Sequence, residues 1–293
     1  MKNLSVSLLL TTPLFAGVEA PIMAPPAPDC NAGFTVGLEA LYLRAYQSDG
    51  NFNEGDYDFG GRGSLGYEFN DCLFIKATYF GYSSTVFSDG EDSPSSSFHT
   101  DADLDVSYID LVVGQHFKPS EKLTLSPYVG LRYATYELGI HAEGRSIRTG
   151  LLLGETVTTF NESEDFSGLG VVVGIDGTRS LGNGFSLYGT VKQSVVFGTT
   201  DFSFSQHTES GSLQQNATVN SSSYSDDSVI FISELGLGAQ YEFNIGSVAA
   251  KVHAGVEGQW WAGIDGGGSQ KMSSGGSSNT GLAGFVLGAD FNF

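Results

Sequence analysis

The residues that could do chemistry here are ionisable side chains set on one face of alternating stretches that are otherwise apolar or glycine-rich. Asp58, Arg62, Glu68, Lys76, Asp110, Arg132, Asp176, Lys192, Glu234, Glu242, Lys251 and Glu257 all fall on such polar faces. Successive side chains of an extended chain point to opposite sides, so these groups share the inside of whatever the strands enclose. Either the opposite charges pair across that interior and seal it, or they line a narrow water path. Acids outnumber bases in the set, so a path would favour small cations over anions through its local field.

Other candidates are weaker. Asp101, Asp103 and Asp105 alternate like the carboxylates of a calcium loop but lack the glycine and distal glutamate of an EF-hand; on a strand they share one face and would offer at most a weak divalent site. His99, His141 and His207 lie in or near polar connections, with no Ser/His/Asp spacing or paired carboxylate beside them. No catalytic residue and no cofactor follow, and the expectation is a protein that is not an enzyme. Cys30 and Cys72 are the only cysteines, and in an oxidising compartment they are expected to form a disulfide.

The elements that must position these groups are strands. From Gly33 the chain divides into ten alternating segments, near 33–46, 56–69, 72–84, 103–118, 122–141, 166–179, 184–199, 228–243, 246–262 and 280–293. Each is long enough to cross a bilayer as a tilted strand, which takes about 9–11 residues. Short turns at Asn70-Asp71, Pro119-Ser120-Glu121, Leu181-Gly182-Asn183 and Asn244-Ile245 alternate with long polar connections at 47–55, 85–102, 142–165, 200–227 and 263–279. That asymmetry predicts a transmembrane antiparallel up-and-down β-barrel of about ten strands, all-β, with short periplasmic turns and long external loops. Pro127 falls on the outward face and predicts a local irregularity. Glu39 and Arg44 fall on opposite faces of the first segment unless a bulge intervenes. Aromatics at the turn end, Phe69, Phe74, Phe117, Phe185, Tyr241, Phe243, Phe291 and Phe293, fit an interfacial girdle. Leu151, Leu152 and Leu153 would either fold into the mouth or extend a strand.

Composition agrees. Of 293 residues 40 are Gly, 21 Phe and 13 Tyr, against 13 Lys plus Arg, and the net charge is −20. So acidic a chain is not a nucleic-acid binder. Lys2 followed by the apolar run Leu4–Ala16 has the layout of a secretory signal peptide, taken as 1–20, with a Pro-rich periplasmic leader at 21–32 and the barrel at 33–293. No later run reaches the ~18 apolar residues of a membrane helix. An exported chain that spans a membrane must then do so as a closed barrel.

The final stretch, Ala283 to Phe293, resembles the closing strand of bacterial outer-membrane barrels, whose terminal aromatics, here Phe291 and Phe293, serve as the signal read by the insertion machinery. Three further stretches, Leu38–Arg44, Phe59–Tyr67 and Asp105–Leu111, together with the block running from Phe166–Gly170 to Gly184–Gly189, resemble the Legionella-type major outer membrane protein family. The resemblance implies a pore-forming outer-membrane barrel passing small solutes or ions. Its expected partners are outer-membrane lipid and lipopolysaccharide, the latter through divalent cations on acidic loops, and the barrel-insertion machinery. The alternative is a structural or surface-interaction barrel with its lumen plugged by side chains. Neither oligomeric state nor solute is indicated.

Overall fold

The computed structural model describes residues 30, 32–47, 56–93, 95–148, 154–211, 216–264 and 278–293. The signal segment 1–20, most of the leader, and Leu151–Leu153 lie outside the described residues.

The described strands are β1 (Gly33–Gln47), β2 (Tyr57–Glu68), β3 (Leu73–Ser93), β4 (Ser96–Gln115), β5 (Phe117–Ser120), β6 (Leu123–Arg148), β7 (Gly154–Gly182), β8 (Phe185–Gly211), β9 (Asn216–Ile245), β10 (Val248–Ile264) and β11 (Ser278–Asn292). Each pairs antiparallel with its neighbours, and the sheet closes because β1 also pairs with β11, from Thr35↔Asn292 to Gln47↔Thr280. The Phe293 N–H donates to the Phe34 carbonyl at 3.0 Å beyond the last of these pairs. Through the lower ring closure leaves no edge of unpaired backbone, which is the requirement for crossing hydrocarbon; higher up, β3 beyond Tyr82 and β9 before Phe231 pair on one side only. β4 and β5 are one strand interrupted opposite Pro127: pairing with β6 stops at Gly114↔Tyr128 and resumes at Phe117↔Leu125. The missing proline donor accounts for the gap.

Ten long strands therefore form the ring, and the tight turns fall where the sequence puts them, within three residues, at one end. Cys72 and Asn183 take positive φ there, as do Gly182, Gly184 and Gly246. At Gly184 a side chain would also run into the Glu242 carbonyl of β9.

The other end differs from expectation. Most of 85–102, 142–165 and 200–227 continues as paired strand rather than loop: β3–β4 pair up to Ser93↔Ser96, β6–β7 up to Arg148↔Gly154 and β8–β9 up to Ser210↔Asn216. Six strands thus make a tall wall, while β10, β11, β1 and β2 make a low one.

The sequence pattern hid this because its polarity inverts partway up. Low on β4, Ile109, Leu111 and Val113 face outward and Asp110 inward; higher up, Ala102, Leu104 and Val106 face inward and Asp101, Asp103 and Asp105 outward. β6 does the same, with Val129, Leu131 and Tyr133 outward below and Tyr136 and Leu138 inward above. Below the inversion the barrel presents apolar side chains to lipid. Above it the barrel presents polar ones to water, and apolar side chains move inside as in a soluble protein.

Two details of β1 and β3 are settled as well. No bulge interrupts β1: Glu39 points inward, and Arg44 lies on the outer face near the top of the low wall, its guanidinium 5.5 Å from the Tyr46 ring. Phe74 is not part of the outer girdle; it is buried inside, stacked on His116 at 4.8 Å, because Gly114 on the adjacent strand leaves room for its ring.

Candidate functional site: the barrel interior

The interior has three levels. At the turn end lies a polar vestibule of about 420 Å³. Thr35, Ser64, Thr78, Ser126, Thr178 and Thr190 supply hydroxyls, and Glu68, Lys76, Asp176, Glu242, Lys251 and Asp290 supply charge. The charges mostly find partners: Lys76 lies 3.8 Å from Asp176, Lys251 is 3.1 Å from Asp290, and the His116 ring is 3.6 Å from Glu68.

Above the vestibule, ion pairs reach across the lumen. Arg132 on β6 is wholly buried, donating to both carboxylate oxygens of Asp110 at 2.6 and 2.7 Å and lying 2.6 Å from Glu234 on the far wall. Glu234 also accepts from the Tyr108 hydroxyl at 2.8 Å and the Lys192 ammonium at 3.1 Å. Arg62 enters from β2, pairing with Glu39 at 2.5 Å and with Glu257, and approaching Glu234 to 3.9 Å. His253 continues the chain between Glu39 at 3.3 Å and Asp290 at 3.4 Å. Tyr108 is held between Phe80, stacked at 4.9 Å, and the Arg132 guanidinium 3.7 Å over its ring. Such groups need mutual partners because an uncompensated buried charge costs several kcal/mol.

The third level is mostly apolar, with Gln259, Thr280 and Glu164 as buried polar members. Leu41, Leu43, Leu104, Tyr136, Ile230, Ile232, Trp261 and Leu282 are essentially without solvent exposure and form one cluster across the lumen. The cavity left among Ala45, Val86, Leu104, Tyr136, Leu138 and Thr280 is about 10 Å³, no more than the room one water needs.

All twelve ionisable residues singled out from the sequence face inward. Asp58 stands apart, near the upper end of β2, accepting from the Ser84 hydroxyl at 2.5 Å. Sequence reasoning omitted Glu39, His253 and Asp290 from the set, although His253 and Asp290 carry the same alternation signal; Glu39 was obscured by the opposite placement of Arg44. The apolar septum was missed because inward leucines and isoleucines carry no polar face.

Outside, Asp101, Asp103 and Asp105 do share one face of β4. Asp103 accepts from the Thr85 hydroxyl at 2.8 Å, and no cluster suited to a metal ion occurs among the described residues. Asp105 instead belongs to a circumferential row, Asp105↔Glu137↔Asp165↔Asp201, directly opposed on four neighbouring strands just above the apolar band. His99, His141 and His207 are on the outer wall of separate strands and do not converge: His141 pairs with the Asn161 side chain at 2.6 Å, and His207 with Glu209 at 3.0 Å.

At the turn end the structure joins Cys30 to Cys72, with Cα atoms 5.2 Å apart. Ala32 N–H donates to the Asn70 side chain at 3.0 Å alongside, so the chain before β1 is fixed to the first turn.

Several solved outer-membrane barrels align with the chain. A major outer membrane protein from Thermus thermophilus is 14% identical, with 89% of this chain and 99% of that one covered and a TM-score of 0.35. The outer membrane protease OmpT of Escherichia coli is 11% identical over 89% and 96% of the two chains, TM-score 0.46. The Pseudomonas putida toluene transporter TodX is 10% identical over 92% of each, TM-score 0.32. No curated protein matches the sequence. Residues 26–293 match the model of the Legionella pneumophila major outer membrane protein precursor family, and the chain therefore belongs to that family of outer-membrane β-barrel proteins.

Proposed function

We propose that this protein is a porin-like conduit for small solutes whose path is closed in the state described, with cations preferred when it opens. One observation carries this: the lumen is hollow and polar through its lower level and solid only above. A barrel serving purely as a wall would pack its interior throughout, as the narrowest barrels do. The acidic balance of the charged levels supports cation preference through the local field. No catalytic role is included in this reading. The acidic outer row supports contact with lipopolysaccharide through divalent cations, because like charges directly opposed across strands otherwise destabilise a sheet. Phe291 and Phe293, at the end of the closing strand, would be read by the insertion machinery.

Planar-bilayer recording tests the conduit. Expected are small, infrequent openings with a cation-selective reversal potential; anion selectivity, or a large steady current, contradicts the proposal.

A further inference from the structure

Resting on that conduit reading, we infer that the barrier to solute is the apolar septum, and that Trp261 is the side chain whose displacement opens it. The ion-pair level borders the vestibule, so loosening it admits water only as far as the next level. That level is dry, and an apolar constriction blocks hydrated ions by dewetting.

Within the septum the large side chains differ in how they are tied. Tyr136 shares a hydrogen bond of 3.0 Å with Thr280 on the opposite wall, and Tyr82 donates to the Leu43 carbonyl at 3.2 Å. Trp261, the largest fully buried side chain, meets the Tyr136 ring across the lumen at 6.3 Å, a packing contact rather than a hydrogen bond, and its indole N–H donates to Gln259, two residues away on its own strand, at 3.2 Å. Immediately above it the β10–β11 ladder shifts register between Trp261 and Ile264. Gly263 there has φ +89°, and its N–H donates to the Asn279 side chain rather than to a ladder carbonyl. The bulkiest plug residue thus sits at the end of a strand whose backbone pairing is already interrupted, the arrangement that lets a side chain move without breaking the ring.

The experiment uses the full-length protein in planar bilayers, with heat-modifiable gel mobility confirming a folded barrel. Trp261→Ala is expected to raise the time-averaged current by about tenfold or more, as loss of a dewetting constriction should, with Glu234→Gln raising it less. In a Trp260→Phe background Trp261 is the sole tryptophan, and its fluorescence is expected to resist iodide quenching in the closed barrel. A larger rise for Glu234→Gln than for Trp261→Ala overturns the inference, as does ready quenching of Trp261. If Trp261→Ala does not fold, Trp261→Leu replaces it with the same expected order. Silence of every folded variant, including Trp261→Leu combined with Leu104→Ser, contradicts the conduit reading itself, whereas conduction opened by Glu234→Gln alone leaves that reading intact and removes only the role of the septum.

Discussion

The lower and upper halves of this lumen are built by the same ring of strands, yet one is hollow and charged and the other solid and apolar. Strand number sets how much room the ring encloses, and the side chains decide whether that room holds water. Below, polar groups point inward because lipid takes the apolar ones; on the tall wall above, water takes polar groups such as Asp103 and Asp105 and leaves Leu104 inside, while Ile230 and Trp261 fill the centre from strands whose outer faces, at Phe231 and Trp260, are still apolar. One chain therefore shows the membrane form and the soluble form of a barrel, joined where the alternation inverts.

Four substitutions would break or sharpen that contrast. The largest effect belongs to Arg132→Ala, which strands Asp110 and Glu234 without their wholly buried partner; a loss of about 3–5 kcal/mol is expected, measured by urea unfolding in detergent micelles. On the outside, Leu131→Lys should cost about 2–4 kcal/mol because it faces hydrocarbon. The matching change above the inversion, Asp103→Lys, should stay within about 0.5 kcal/mol. Equal costs at the two positions would mean that the inversion does not mark the membrane surface. Inside the septum, Ile230→Val removes one methylene from a fully buried side chain and is expected to cost about 0.5–1.5 kcal/mol.

The smallest effect concerns Glu162, on the inner side of the tall wall well above the apolar band, whose carboxyl is raised above the usual range by burial. A carboxyl raised in the folded state penalises folding once ionised, and the penalty fades as pH falls through the folded-state value. Glu162→Gln should therefore stabilise the barrel slightly at about pH 7 and not at about pH 4, near the unperturbed value of a glutamate, in parallel thermal melts.

The closed ring, its strand number and its turns were legible in the sequence because lipid on one side and polar groups on the other impose a strict two-residue period. Phe285, Leu287 and Ala289 against Gly288 and Asp290 show it plainly. The tall wall was not legible. Asp101-Ala-Asp-Leu-Asp-Val106 keeps the same period with the polarity reversed, and a reading that looks for outward apolar residues begins the strand near 103 and takes 85–102 for loop. The interior charges were found for the same reason the strands were. The septum was not found, since at Leu41, Ile230 and Trp261 both faces of the strand are apolar and the alternation carries no sign of which one points inward. Phe74 misled in the same way: its position at a strand end fits a girdle, and only the neighbouring Gly114 shows that the ring turns inward.

The central claim, a wet lower lumen ended by a dry upper one, is tested most directly by cysteine accessibility. The described cysteines are both in the disulfide, so a single introduced cysteine reports alone. A charged, water-borne thiol reagent should label Thr78→Cys and Thr190→Cys in the vestibule and leave Ala134→Cys and Val196→Cys in the septum unreacted. Labelling of all four would contradict a closed lumen, and labelling of none would contradict a hollow one.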